Sequence, residues 1–195
     1  MKRKESTVTL PTIEDVEKER KRIRRGIYYR KALSGTVSVL IVVAAVAVLI
    51  ATLFLPILQI SGDSMYPTLE NDEIVVLTKS KNFDRGDLIA FYYQGKILLK
   101  RVIALPGDVV VMDADGNVYV NEELLEEPYL SEKSLGDCDL EFPFTVPETE
   151  YFVLGDRRSN SVDSRNTMIG TIKQDEIIGK VFLRVWPFER IGFIV

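Results

Sequence analysis

The 195-residue chain carries 25 Lys/Arg against 29 Asp/Glu, a net charge of −4, which suits one modest domain plus a further segment. It has no histidine, so a Ser-His-Asp triad, a Cys-His pair and any His-ligated zinc are excluded. Its single cysteine, Cys138, excludes an intrachain disulfide and a multi-thiolate metal site.

Cys138 lies between Asp137 and Asp139, whose charges disfavour the thiolate, and it reads as a plain free thiol. A side-chain nucleophile would then be a serine or threonine activated by lysine. No cofactor or metal is expected.

Charge is unevenly spread. Residues 1–31 hold eleven Lys/Arg and five Asp/Glu, net +6, and the rest of the chain is −10. The leader lacks aromatic interleaving beyond Tyr28 and Tyr29, so it reads as a membrane-proximal flank and not as a nucleic-acid site.

Residues 1–12 are polar and read as disordered, and 13–25 suggest a short, frayed helix. No charged residue occurs from Ala32 to Gly62, and Val37 to Leu55 is dense in Val, Ala, Ile and Leu. About twenty such residues at about 1.5 Å each cross the roughly 30 Å hydrocarbon core. A cleaved leader would have a shorter apolar core and a small-residue cleavage site, so the run reads as an uncleaved anchor. Arg22, Arg24, Arg25, Arg30 and Lys31 crowd its N-terminal side, which places the N-terminus in the cytoplasm and the acidic body outside.

Past the anchor the period changes. Residues 73–77, 88–93, 97–104, 108–112, 118–120, 151–154 and 177–185 read as short strands, rich in β-branched and aromatic residues and punctuated by turn sequences. Asp115-Gly116-Asn117 marks a hairpin between 109–112 and 118–120. The acidic stretch 121–147, with Pro128, Pro143 and Pro147, reads as an inserted subdomain or long surface excursion. The expected fold is mostly β: a single transmembrane helix, then an extracytoplasmic β-rich domain with a small insert. The divisions fall at 1–31, 32–58 and 59–195, with the insert at 113–150.

Three stretches could carry chemistry. Ser61-Gly62-Asp63-Ser64-Met65-Tyr66-Pro67 is an irregular turn presenting a hydroxyl, or else a plain loop leaving the anchor. Lys100 interrupts an apolar strand; strand alternation puts Lys100 and Arg101 on opposite faces, with one of them inside. A desolvated lysine is a general base near neutral pH, whereas an edge-strand lysine merely wards off aggregation. The third stretch, 155–165, packs two acids, three arginines and three serines between two strands. It is either a solvated loop or a self-bracing one that holds a neighbouring group.

Together, in this order and in a histidine-free anchored chain, these stretches resemble the type I signal peptidases of bacteria, particularly the Gram-positive branch. The resemblance runs from Ser61 to about Arg165. It implies an anchored serine endopeptidase that removes signal peptides from secreted precursors, its partners being those precursors and the lipid membrane. By position it implies Ser64 as nucleophile and Lys100 as general base, with Ser161 orienting the lysine amine. Asp163 with Arg165, and Asp156 with Arg101, would brace the site. Ile60, Met65, Leu69 and Leu99 would form shallow apolar pockets for alanine, giving cleavage after Ala-X-Ala. Position 157 is arginine where the family commonly has asparagine. Position 62 is glycine where some members carry a serine oxyanion donor, which leaves the second donor unassigned.

Two other readings remain open: a self-cleaving repressor built on the same dyad, and a non-catalytic, membrane-tethered β-module for binding or assembly. The anchor and the lack of a DNA-binding helical domain argue against the first.

Overall fold

The computed structural model describes residues 13–194. The polar segment 1–12 lies outside the described residues. The chain divides at Ala51 and Thr52 into two units.

The N-terminal unit is one helix, α1 (Ile13–Phe54), about 63 Å long at 1.5 Å per residue. The short helix expected at 13–25 is therefore continuous with the apolar run. No proline interrupts it, and Gly26 and Gly35 are tolerated at a cost of about 1 kcal/mol each. Pro56 ends it, because the residue before a proline is steered away from helical backbone. Val39, Leu40, Ile41, Val42 and Val43 point in every direction round the axis and are all well exposed. A helix apolar all round, without a polar face, suits lipid, and the stretch 16–49 is long and apolar enough to cross a membrane.

The second unit is antiparallel β. One sheet runs in the order β1 (Ile57–Gln59), β2 (Ile74–Thr78), β11 (Ile177–Trp186), β3 (Leu88–Tyr93), β4 (Lys96–Ala104), β9 (Glu150–Leu154) and β10 (Ile172–Lys173), with β12 (Gly192–Phe193) added to β11. A smaller sheet is ordered β7 (Glu123–Leu124), β6 (Val118–Val120), β5 (Val109–Met112) and β8 (Phe144–Thr145). The mostly β expectation holds. Ile57 and Leu58, read as the end of the anchor, instead form β1, where Ile57 pairs with Val76.

The small sheet is not an independent insert. Val110, Met112, Val118 and Val120 share one buried cluster with Ile103, Ala104, Phe152 and Leu154 of β4 and β9. The β5–β6 connection spans 113–117, with the Asn117 backbone N–H donating to Asp113 Oδ1 at 2.8 Å. Gly116 adopts φ +82° there, a backbone state that favours glycine.

Three pairings position the site. Lys100 pairs with Ile89 and Arg101 with Leu154, so the loop leaving β9 emerges beside both cations. Ile60, Met65 and Leu69, flanking Ser64, pack with Val75, Leu77, Leu88, Ala90 and Val181. Burial of Met65 and Leu69 stabilises by about 1.5–3 kcal/mol each, which pins the loop between β1 and β2 to the sheet.

Candidate active site

Lys100 is buried in the middle of β4, and its Nζ lies 2.8 Å from Ser64 Oγ. Burial holds its pKa below the usual lysine value. Asp163 and Asp156 oppose that shift and Arg165 assists it. The neutral amine is thereby favoured, and a neutral amine can take the Ser64 proton.

Ser64 sits in a run of turns after β1. Gly62 takes φ +99°, the Tyr66 N–H donates to the Asp63 carbonyl at 3.0 Å, and the Leu69 N–H to the Met65 carbonyl at 2.9 Å. Among the described residues the Ser64 backbone N–H donates to no other backbone group.

Arg101 is buried as well, on the other face of β4. It binds Asp156 through Nε at 2.9 Å and its terminal nitrogen at 2.7 Å, and donates to the Gly86 carbonyl at 2.8 Å. The alternation argument expected one cation inside. Both are inside, because the strand is covered on both faces. Arg165 grips Asp163 in the same two-pronged way, at 2.8 Å on each oxygen, and Asp163 also accepts the Gly155 N–H at 2.9 Å.

A third buried pair joins Arg158 to Glu127, neither side chain being exposed. Arg158 also donates to the Gly155 carbonyl at 3.1 Å. Tyr129 donates to Glu127 at 2.8 Å, lies 3.9 Å beneath the Arg101 guanidinium carbon, and has its phenol pKa pushed up by burial. Arg158 is one of the three arginines of the stretch 155–165, whereas Glu127 and Tyr129 went unmarked in the sequence. Glu127 lies in a stretch without periodicity, and only its spatial partner marks it. Among the described residues the three buried arginines are matched by three carboxylates, and Lys100 has no ion pair of its own.

Gly155 is where the loop 155–165 passes under Ser64. A Cβ there would fall 2.7 Å from the Ser64 carbonyl oxygen and still nearer the Ser161 hydroxyl. Ser161 is buried at this point, but its Oγ has no hydrogen-bond partner among the described residues, so it does not bond Lys100 here.

Two grooves meet at Ser64 and Lys100. The first, of about 280 Å³, is lined by Leu58, Ile60, Met65, Ile97, Leu98 and Leu99 around the dyad. Ile60, Met65 and Leu99, the residues assigned to the alanine pockets, are among this lining. Leu69 does not line it, being fully buried in the core instead. The second groove, of about 400 Å³, has Asp63, Tyr93, Gln94, Lys96 and Asn160 on its walls together with Leu98, Val162 and Ile169.

Among known protein families, the one described as signal peptidase, peptidase S26, matches residues 33–186. The chain belongs to this family. Signal peptidase I U of Bacillus subtilis is 38% identical over 175 residues, covering 82% of this chain and 90% of that protein. Signal peptidase I of Streptococcus pneumoniae is 33% identical over 173 residues, covering 69% of this chain and 83% of that protein. A crystal structure of a signal peptidase I from Enterococcus faecalis is 34% identical and covers 51% of this chain and 96% of that one, with a TM-score of 0.44. As a signal peptidase the chain is a serine endopeptidase acting on precursors that bear signal peptides. Membership in an enzyme family displaces the reading as a non-catalytic β-module.

Proposed function

We propose that this chain removes N-terminal signal peptides from secreted precursors through a Ser64–Lys100 dyad, cutting after small residues in the pattern Ala-X-Ala. The observation that carries the reading is the 2.8 Å approach of a buried lysine amine to a serine hydroxyl at the junction of two grooves, in a chain with no histidine.

The reaction is acyl transfer. Neutral Lys100 takes the Ser64 proton as Oγ attacks the carbonyl carbon of the scissile peptide. The Ser64 backbone N–H donates to the oxyanion. Collapse breaks the C–N bond, and the Lys100 ammonium returns its proton to the leaving amine. Neutral again, Lys100 deprotonates a water that attacks the acyl ester and releases Ser64. Arg101–Asp156 and Arg165–Asp163 brace the site. Ser161 is the group to orient the Lys100 amine, since a buried hydroxyl without a partner is available for that bond. Ile60, Met65 and Leu99 in the apolar groove supply shallow contacts suited to alanine.

In this reading residues 1–31 are a cytoplasmic basic segment, the apolar part of α1 from 32 to 54 is the single-pass anchor, and the β-rich body from β1 onward is the extracytoplasmic peptidase domain. The basic flank and the acidic body support that orientation. Incubating the detergent-solubilised protein with a secretory precursor tests the function: cleavage at the signal-peptide junction is expected, and an intact precursor contradicts it.

A further inference from the structure

Asp63 stands immediately before Ser64 and lies, half exposed, on the wall of the second groove. The Arg157 guanidinium forms an ion pair with one oxygen of its carboxylate, and the Asn160 amide donates to the other at 3.1 Å. The Arg157 backbone N–H also donates to the Ser64 carbonyl at 3.0 Å. Residues 63 and 64 are therefore tied to the loop 155–165 at three points. Their other flank is held separately, by the Gly62 N–H donating to Asn71 Oδ1 at 2.9 Å.

A carboxylate in this position shares the groove with the base. The groups facing Lys100 come from three elements. Asp156, Asp163 and Arg165 belong to the loop after β9. Tyr93 and Lys96, on the β3–β4 hairpin, share the second groove with it, and so does Asp63 of the nucleophile loop. Arg101 follows Lys100 on β4 and is taken up by Asp156. Asp156 and Asp163 are each matched by a two-pronged arginine. Without Arg157, Asp63 would be an unmatched negative charge in the groove that holds the amine. It would favour the ammonium form, which cannot take the Ser64 proton.

We propose that Arg157 and Asn160 form a clasp on Asp63, a positioning device that holds the Ser64 hydroxyl against Lys100 and cancels the carboxylate charge beside the nucleophile. It rests on the Ser64–Lys100 reading. An asparagine at position 157 could donate to Asp63 but could not neutralise it. Exposed on both sides, the Arg157–Asp63 pair adds little to stability, so its removal leaves the fold standing.

The test compares the full-length, detergent-solubilised protein with Arg157→Asn, Arg157→Lys and the double variant Asp63→Asn/Arg157→Asn. Each is measured for kcat and KM against pH on a signal-peptide substrate free of ionisable groups, alongside a thermal melt. Arg157→Asn lowers kcat roughly tenfold with KM near wild type, and its rising pH limb moves to higher pH. Arg157→Lys and the double variant return that limb to the wild-type position, while kcat in the double variant stays low. A wild-type kcat and pH limb in Arg157→Asn overturns the clasp, as does a raised KM with unchanged kcat. Failure of the dyad reading is distinct: Lys100→Met then cleaves at the wild-type rate, whereas failure of the clasp alone leaves Lys100→Met inactive.

Discussion

Asp156 holds Arg101 through two hydrogen bonds, of 2.9 and 2.7 Å, one residue along β4 from Lys100. Both side chains are buried, so neither charge can be left alone. Removing one partner of a buried pair costs about 3–5 kcal/mol, because the other stays desolvated and unmatched. Asp156→Ala and Asp163→Ala are each expected to lose about that much in urea unfolding of the full chain. A loss under about 1 kcal/mol would mean that these pairs do not brace the site.

Lys100 gives a signed pH dependence. Desolvation places its folded pKa below the unfolded value, so the folded state favours the neutral amine. The active form accumulates as pH rises through the folded pKa, and kcat/KM climbs from mildly acidic into alkaline pH. A flat profile from about pH 6 to 9 would remove lysine as the base.

The same shift has a stability consequence. Between the folded and unfolded pKa values the unfolded chain holds the proton and the folded chain does not. The stability associated with the neutral amine is therefore present above the unfolded pKa and lost as pH falls through the folded one. Lys100→Met, apolar and of similar length, should raise the melting temperature at neutral pH. An unchanged melting temperature would mean that Lys100 is not strained by burial.

In the proposed reading the first groove sets substrate preference. Ile60, Met65 and Leu99 leave shallow space beside Ser64, and a bulky residue before the scissile bond would overpack it at about 1–3 kcal/mol. Replacing the alanine before the scissile bond of a matched precursor by leucine or phenylalanine should slow cleavage by about five- to 150-fold. Equal rates would show that the groove does not set specificity.

Much of this was legible in the sequence for a plain reason. Strands 88–93, 118–120 and 177–186 are runs of β-branched and aromatic residues bounded by turn residues, and such runs fold where the pattern says. Edge pieces such as β1, β7, β8, β10 and β12 are two or three residues long, and nothing local marks them. Ser64 and Lys100 are 36 positions apart, and their residues alone left a plain loop and an edge-strand lysine as open readings; the resemblance to the signal peptidases is what implied a nucleophile and a base. Glu127 stayed hidden because its meaning lies in a partner 31 positions away, and Arg157, visible as a departure from the family pattern, has its partner 94 positions away.

Topology is checked on wall-stripped intact cells. Added protease should digest the acidic body and spare the first thirty residues. Digestion confined to those thirty residues would reverse the orientation.

The central claim is that Lys100 activates Ser64, and the cleavage rate of one secretory precursor by wild type, Ser64→Ala and Lys100→Met, assayed side by side in detergent, tests it most directly. Both variants should fall roughly 10³-fold or more while melting cooperatively and remaining folded. A folded Lys100→Met protein that cuts at the wild-type rate would contradict the account.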